Sequence, residues 1–355
     1  MSATSPSPDV IVVGAGLAGA ATAFFLSRER SLRIVLLEQE PELAAHSSGR
    51  NAGLVRRACG DPALDPLCDE GAAFYAAPPD DLPVDPRFRR TGSFLLVTPE
   101  QAKRWARAGV VAATHAELRR AVPPFEPEPR SAVLHSADDG VVEPRSVVEG
   151  FLAGARRRGV ELRVNDRATR LHVERGRVAG VAAARGRLAA ACVVDAAGAW
   201  AGELAATAGA GDGQLTPLRR HLLVTEPDLR VDPSWPWVWD TLRGFYFRPE
   251  TGGLLLCACD EGPDRPGPCA VDPVIAAQIS RKVERCLPSF ADLRPRRLWA
   301  GHRTRRPDGR FLLGADPRVG GLVWAAGLGG HGVTTAPAVG RRVAEAVVAL
   351  LAAGR

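Results

Sequence analysis

The sequence lacks the features of a secreted, disulfide-bonded protein and the cysteine spacing of a zinc-binding protein. Its seven cysteines are scattered and odd in number, which does not suit a disulfide framework. Cys257 and Cys259 have no second pair at zinc spacing, so no metal site is predicted. The opening residues MSATSPSPD carry no basic segment, so no signal peptide is predicted. We therefore expect a reducing, cytoplasmic compartment.

The chain also lacks an uninterrupted apolar run of membrane length and a block of like charge. The longest apolar candidate, a helix predicted over Val333–Ala353, is interrupted by Arg341, Arg342 and Glu345. The formal charge of +6 comes from arginines spread along the chain among acids. We therefore predict neither a membrane span nor a nucleic-acid partner. With 355 residues, 46% of them hydrophobic, the chain is long enough for two interleaved lobes.

The first forty residues combine two predicted strands, a glycine-rich turn and a helix. The apolar run Val10–Val13 precedes the turn GAGLAG, a helix is predicted over Ala20–Arg30, and a second strand is predicted over Arg33–Leu37. This order is typical of a βαβ unit that binds the pyrophosphate of a dinucleotide at the helix N-terminus.

The residue types at fixed positions of this unit have separate physical tasks. Gly14 permits the tight turn, Gly16 lets the backbone approach a pyrophosphate, and Gly19 lets helix and strand pack closely. Glu38 ends the second strand, where a carboxylate accepts hydrogen bonds from an adenosine ribose. The pattern predicts an adenine dinucleotide and leaves open whether it is FAD or NAD.

The rest of the chain alternates between two kinds of segment. Residues 1–77, 141–212 and 299–355 are predicted to form the dinucleotide-binding domain, and residues 78–140 and 213–298 a substrate-binding domain. A small meander of strands at Ala168–Val173, Arg177–Ala183 and Leu188–Asp195 is predicted within the first domain. A helix is predicted over Pro99–Ala108 in the second domain. The fold class is therefore α/β, with a Rossmann-like parallel sheet and an interleaved α+β lobe whose sheet is mainly antiparallel.

Two further glycine-rich segments carry candidate cofactor contacts. The segment HSSGRNAGLVR (His46–Arg56) follows the second strand, where the small residues, Arg50 and Asn51 could hold phosphates, the ribityl chain or the isoalloxazine edge of a flavin. The segment GLGGHG (Gly327–Gly332) opens the last helix, whose N-terminus offers partial positive charge to the pyrimidine edge of a reduced flavin.

These segments, together with VVDAAGAWA, GFYFRPETGGLLL and WAGHRTRRPDG, resemble the D-amino-acid-oxidase-like superfamily of FAD-dependent oxidoreductases, which includes glycine oxidase, sarcosine oxidase and D-arginine dehydrogenase. The resemblance covers nearly the whole chain, is strongest to D-arginine-dehydrogenase-like members, and implies FAD as the cofactor. The predicted FAD contacts are Gly14, Gly16, Leu17, Ala18, Gly19, Glu38, Gln39, Ser47, Ser48, Gly49, Arg50, Asn51, Ala52, Gly53, Ala168, Ala197, Gly198, Trp200, Gly301, Gly327, Gly329, Gly330, His331, Gly332, Val333 and Thr334.

The resemblance also implies part of a substrate site. Arg303 matches an arginine that pairs with a substrate carboxylate, Tyr246 matches a tyrosine of the pocket, and Arg219 or Arg220 matches a basic position over the flavin. Ser93 stands where D-arginine dehydrogenases have the glutamate that receives the substrate guanidinium, which disfavours a strongly basic substrate. Cys59 stands in place of a tyrosine on the closing loop and is predicted to be a small pocket-lining residue.

These residues predict dehydrogenation of an amino acid or related amine by hydride transfer from its α-carbon to flavin N5, which leaves an imine. The electron acceptor is left open among oxygen, a quinone and a carrier protein. One alternative is oxidation of a hydroxy acid or alcohol, which needs a base such as His302 or His331. Others are a FAD-holding subunit of a larger complex and an NAD-dependent enzyme.

Overall fold

The computed structural model describes residues 7–105 and 109–354. Its strands are β1 (Val10–Val13), β2 (Ile34–Leu37), β3 (Leu54–Val55), β4 (Arg89–Arg90), β5 (Ser93–Val97), β6 (Val111–Ala113), β7 (Ala132–Ser136), β8 (Gly140–Val141), β9 (Glu161–Arg163), β10 (Ala168–Glu174), β11 (Arg177–Ala183), β12 (Gly186–Ala189), β13 (Cys192–Asp195), β14 (Thr216–Thr225), β15 (Trp237–Asp240), β16 (Phe245–Glu250), β17 (Gly253–Cys257), β18 (Gly262–Pro263), β19 (Pro295–Arg305), β20 (Leu312–Ala315) and β21 (Leu322–Ala326). Its helices are α1 (Leu17–Leu26), α2 (Asp65–Ala76), α3 (Pro99–Trp105), α4 (His115–Ala121), α5 (Pro144–Arg157), α6 (Ala201–Ala206), α7 (Val274–Cys286) and α8 (Gly332–Ala353).

The first sheet has the strand order β20-β21-β13-β1-β2-β9, and only β20 runs antiparallel to its neighbour. Both faces of this sheet are covered, so successive side chains of β1 point alternately into two different cores. Val10 and Val12 pack with α1, α5 and α8, whereas Ile11 and Val13 pack with α6 and the β10-β11-β12 meander. The predicted α/β fold with a parallel Rossmann-like sheet is confirmed.

The second sheet is almost wholly antiparallel and has the order β18-β14-β17-β16-β15-β5-β7-β6, with β19 paired along β14. Only β15 and β5 are parallel neighbours in it. Alternation along β16 separates its two faces. Phe245 and Phe247 enter a core with α4 and α7, while Tyr246 lies on the opposite face with Ala52 of the loop after β2.

The structure corrects several predicted boundaries. The predicted strand Leu188–Asp195 is two strands, because β12 pairs with β11 of the meander and β13 pairs with β1 of the parallel sheet. Strand β15 was not predicted. The helix predicted over Pro99–Ala108 is described as far as Trp105, and residues 106–108 lie outside the described part.

The predicted domain division stays a proposal at the level of lobes, with one boundary displaced. Position 299 falls inside β19, which pairs with β14 from Arg305 back to Pro295. The hydrogen-bonded strand therefore joins the antiparallel sheet as far as residue 305, and the chain returns to the parallel sheet only at β20. Within the described residues, no helix combines the length and the apolarity that a membrane crossing requires.

Candidate active site

A cavity of about 470 Å³ lies between the two sheets. The loops that follow β1, β2, β13 and β21 line it from the parallel sheet, and β14, β16 and β19 line it from the antiparallel sheet. Carboxyl ends of parallel strands are the usual ligand edge of such folds. Gly14 and Glu38 therefore share one cavity with Tyr246 and Arg303, although up to 289 residues separate them in sequence.

The cavity end near β1 and β2 is formed mainly by backbone. Glu38 is fixed there because its Oε2 accepts a hydrogen bond from the Ala15 N–H at 2.8 Å and its Oε1 one from Glu40 at 3.0 Å. Each carboxylate oxygen keeps a lone pair for a further donor. Gly14, at a φ of +96°, and Gly19 face each other so closely that a Cβ on Gly19 would lie 1.9 Å from the Gly14 carbonyl oxygen.

The loop after β2 closes over the N-terminus of α1. Ser48 Oγ accepts a hydrogen bond from the Leu17 N–H at 2.9 Å, and a Cβ on Gly16 would lie 2.7 Å from the same Oγ. The missing side chain at Gly16 thus keeps this backbone open to the cavity. Arg50 holds the loop against β19, since its Nε donates to Ala45 O and its Nη1 to Ala300 O. Asn51 is likewise engaged within the loop, donating to Ser48 O and accepting from Gly53.

Most of the predicted cofactor residues line this cavity, and four do not. Gly19 is covered by Gly14, and Gly49 packs on Ala44, whose carbonyl oxygen would lie 2.2 Å from an added Cβ. Thr334 uses its hydroxyl to donate to Leu54 O at 3.0 Å. The lining members are Gly14, Gly16, Leu17, Ala18, Glu38, Gln39, Ser47, Ser48, Arg50, Asn51, Ala52, Gly53, Ala168, Ala197, Gly198, Trp200, Gly301, Gly327, Gly329, Gly330, Gly332 and Val333.

The fourth residue, His331, is half-buried and does not line the cavity. Its Nδ1 accepts a hydrogen bond from Nη2 of Arg56 at 2.8 Å. Its ring packs against that of Phe311, with 6.0 Å between the two ring centres. Burial, reinforced by Arg56 and Arg303, holds the pKa of His331 well below its usual range. His331 is therefore neutral at physiological pH and positions Arg56.

At the other end of the cavity the wall consists of side chains on strands. Tyr246, Leu222 and Arg220 point from β16 and β14 toward the cavity. Arg220 is opposite Gly301 in the pairing of β14 with β19, and Arg303 is opposite Leu218. The predicted alternative, Arg219, instead places Nη1 3.5 Å from Ala270 O on an exposed loop, because neighbouring residues of a strand face opposite ways.

Arg220 is the most unusual group on this wall, because it is buried with donors to spare. Its Nη2 donates to Oε1 of Glu261 at 2.8 Å, while its Nε and Nη1 are buried with no hydrogen-bond partner among the described residues. Only 7% of Arg220 is exposed. Glu261 is shared, since its Oε2 also pairs with Arg305 at 3.1 Å. Unpaired buried donors are rare in folded proteins, and those of Arg220 lie on a residue that lines the cavity.

Two neighbours of Arg220 complete the polar group. The guanidinium of Arg303 packs on Gly330, where an added Cβ would lie 2.7 Å from Cζ. Tyr246 is 4% exposed, and burial raises the pKa of its hydroxyl well above the usual value, so that it stays protonated and can donate. Arg303 and Arg220 both lie close enough to Tyr246 to act on its charge.

Neither Ser93 nor Cys59 lines the cavity, so the prediction that Cys59 is a pocket-lining residue is wrong. Ser93 is buried on β5 and donates from Oγ to Oδ2 of Asp139 at 2.7 Å. Cys59 packs beside Cys68 and Leu67, and its N–H donates to Oδ1 of Asp65. In both cases the side chain points away from the cavity. Matching a residue to a family position in sequence does not show which way its side chain points.

Sequence reasoning missed three residues of the site. Arg56 lines the cavity with its guanidinium 5.1 Å from the ring centre of Trp239, which in turn packs edge-on against Tyr246. Glu261 orients Arg220 from behind. Arg56 directly ends the quoted segment HSSGRNAGLVR, so its proximity to a cofactor loop was a usable signal, whereas Trp239 and Glu261 had none.

The residues present fit FAD. An open glycine backbone at the start of α1, a fixed carboxylate after β2, and the N-terminus of α8 with Gly332 and Val333 all face one elongated cavity. Such an arrangement offers amide donors to a pyrophosphate, an acceptor to a ribose and partial positive charge to a flavin ring.

Comparisons with known proteins agree with that fit. The family described as FAD dependent oxidoreductase (DAO) matches residues 9–346. The chain is 27% identical to FAD-dependent oxidoreductase domain-containing protein 1 of Bos taurus, over 96% of this chain and 81% of that protein. It is 28% identical to glycine oxidase of Pseudomonas putida, over 94% of this chain and 92% of that protein.

Solved structures show the same fold. L-proline dehydrogenase from P. horikoshii superposes with a TM-score of 0.87 at 23% identity, over 98% of this chain and 94% of that one. Glycine oxidase from Geobacillus kaustophilus superposes with a TM-score of 0.84. The cofactor is thus FAD rather than NAD, and the chain belongs to the DAO family of FAD-dependent oxidoreductases.

Proposed function

We propose that the protein dehydrogenates an amino acid, or a related amine that bears a carboxylate, at the carbon next to nitrogen. The observation that carries this proposal is Arg220, buried on the cavity wall with two unpaired N–H donors beside Tyr246 and Arg303. A carboxylate is the group whose two oxygens match such donors. Relatives named for amino-acid and amine oxidation support the same substrate class.

The protein's part in this reaction is to bind and orient. Bound FAD would supply the hydride acceptor for this reaction. Arg303, Arg220 and the protonated hydroxyl of Tyr246 would hold the carboxylate and so aim the substrate C–H bond. The residues lining the cavity from Gly14 to Gly53 and from Gly327 to Val333 would hold the cofactor. The N-terminus of α8 would stabilise negative charge on the flavin ring.

No strong base is required if the amine binds in its neutral form, and the two candidate histidines have other partners. Nε2 of His302 lies 3.1 Å from Oδ2 of Asp264, and Nδ1 of His331 receives Arg56. Oxidation of a hydroxy acid, by contrast, must remove a hydroxyl proton. Amine oxidation is therefore favoured over alcohol oxidation. A flavin-reduction rate with an amine substrate that survives replacement of both histidines by Gln would support this choice.

The mismatches at Ser93 and Cys59 suggested a subunit that only holds FAD. Because both residues lie off the cavity wall, they no longer count against a complete substrate site. Turnover of an amine by the purified chain with a dye as electron acceptor would exclude the scaffold function. The natural acceptor and the cytoplasmic location stay predictions.

The decisive test is an anaerobic screen of D- and L-amino acids and secondary amines against the FAD-loaded protein. We expect at least one carboxylate-bearing amine to bleach the flavin absorbance, and the Arg220→Met variant to need a much higher concentration. Absence of bleaching by every amine would overturn the proposal.

A further inference from the structure

Three arginines line the substrate end of the cavity and form one continuous group, which we call the arginine wall: Arg56, Arg220 and Arg303. Arg220 on β14 is opposite Gly301, which lies two residues before Arg303 on β19. Arg303 packs on Gly330, and the next residue, His331, accepts a hydrogen bond from Arg56. Arg303 is therefore the middle member. The wall joins the residue that follows β3 with residues of β14 and β19.

Few carboxylates face the arginine wall from within the cavity. Asp139 lies near Arg56 outside the cavity and accepts hydrogen bonds from Ser93, Ser136 and the Arg57 N–H. Glu261 is the carboxylate that pairs with Arg220, and it divides its two oxygens between Arg220 and the exposed Arg305. Two acids line the cavity among the described residues, Glu38 and Glu203. Glu38 is held by the α1 turn, and Glu203 lies on α6, which packs on β10, so both belong to the adenosine end.

Arg56 and Arg303, unlike Arg220, are held in place without a carboxylate partner among the described residues. His331 accepts from Arg56 as a neutral imidazole, and Trp239 offers Arg56 its ring face, so neither partner cancels the charge. Arg303 rests on the bare backbone of Gly330. Arg220 is buried and Arg56 and Arg303 are half-buried. Gathering cations where water is limited is costly unless anions join them. One substrate carboxylate held by Arg220 and Arg303 would leave Arg56 without an anion.

We propose that the substrate is dianionic: an amino acid with an acidic side chain, or a secondary amine that carries two carboxylates. This inference rests on the proposed function and refines its substrate class. Arg220 and Tyr246, with Arg303, hold the carboxylate next to the reacting carbon. Arg56, preset by His331 and Trp239, receives the second carboxylate, and Arg303 between them contributes to both.

The experiment is an equilibrium titration of the FAD-loaded protein, followed by the change in flavin absorbance, with carboxylates that cannot be oxidised in this way. Malonate, succinate and glutarate are compared with acetate and butyrate. The second charge-assisted contact corresponds to about a tenfold to hundredfold lower Kd for the best dicarboxylate than for either monocarboxylate. Equal Kd values for the two classes, or no binding of either, would overturn the proposal.

Variants locate the second contact. Arg56→Gln should remove the preference for dicarboxylates while leaving the Kd of butyrate within about threefold, and Arg56→Lys should restore part of it. The matched control is Arg57→Gln, because Arg57 is adjacent in sequence but pairs with Asp69 and Asp138 instead of lining the cavity. An Arg56→Gln variant that weakens both ligand classes equally would contradict the assignment to Arg56.

Amine oxidation and the dianionic substrate can be tested separately. If monocarboxylic amino acids reduce the flavin with the same kcat/KM as dicarboxylic ones, the dianionic substrate is wrong and amine oxidation stands. If dicarboxylates bind tightly but no amine bleaches the flavin, the proposed reaction is wrong while the double anion site stands.

Discussion

The two ends of the cavity are constructed from different material. The adenosine end consists of backbone and small residues in one short stretch of chain, with Gly14, Gly16 and Gly19 shaping it and Glu38 following within twenty residues of Gly19. The substrate end consists of long side chains that are far apart in sequence. Arg220, Tyr246 and Arg303 lie on strands of the antiparallel sheet, and Arg56 directly follows β3. Backbone geometry fixes the first, and side-chain direction fixes the second.

This difference predicts different responses to mutation. At the adenosine end, adding a single carbon atom to a glycine should damage the fold and the cofactor site together. The reason is that the neighbouring atoms belong to the backbone and cannot move aside. At the substrate end a larger change should leave FAD bound and alter only recognition.

The largest effect is expected for Gly19→Val. A Cβ there would lie 1.9 Å from the Gly14 carbonyl oxygen, and Gly14 is itself pressed against Ala196. We expect at least a hundredfold weaker FAD binding or no folded protein, measured by flavin content after purification and by FAD titration of the stripped protein. The control is Gly262→Ala, where an added Cβ meets nothing within 4 Å. Normal flavin content in Gly19→Val would contradict the backbone account.

The next effect concerns stability at Asp195, which ends β13. Its burial raises its pKa to about 7. Below pH 3.8 both the folded and the unfolded chain keep this carboxyl protonated. Between that pH and about 7 the unfolded chain loses the proton while the folded chain keeps it, so stability falls as pH rises, and the loss is complete above pH 7.

Asp195→Asn should remove this loss, because the amide does not titrate and its oxygen can still accept from the Ala197 N–H. Relative to the parent, the variant should gain up to about 4 kcal/mol in free energy of unfolding between pH 4 and 7.5. Urea denaturation of both proteins across that range is the measurement. If the free energies of unfolding of the parent and of Asp195→Asn changed in parallel with pH, Asp195 would be ionised in the folded protein.

The third effect is recognition by Arg220. Arg220→Met removes the unpaired donors and should raise the Kd of a carboxylate ligand by about a hundredfold, with flavin content unchanged. Arg305→Met is the matched control, because Arg305 pairs with the same Glu261 but is exposed. If both variants raised the Kd equally, the weaker binding would be explained by the loss of a partner for Glu261 and not by a lost contact in the cavity.

The smallest effect is expected for Tyr246→Phe, which removes one neutral donor. We expect about a fivefold rise in the Kd of the same ligand. Because burial keeps the pKa of Tyr246 well above its usual value, the pH dependence of binding between 8 and 10 should be the same in both proteins. A titration step in the parent that Phe abolishes would show that the hydroxyl ionises.

The same contrast explains how far the sequence could be interpreted. Local spacing was sufficient for β1, α1, β2 and Glu38, because turn geometry and the βαβ unit are properties of neighbouring residues. The end of β12 was misjudged, since Ala190 and Ala191 between β12 and β13 give no turn signal that the chain changes sheets. Ser93, Cys59 and Arg56 depended on which way a side chain points after long-range pairing, and no local pattern contains that information.

The central claim is that the cation-lined end selects a substrate carboxylate. The most direct measurement compares the rate of anaerobic flavin bleaching by an amino acid with that by the amine lacking its carboxylate, for the parent and for Arg220→Met. The account predicts that the amino acid is strongly preferred by the parent and that the variant loses most of this preference. Equal rates for the two compounds with the parent protein would contradict it.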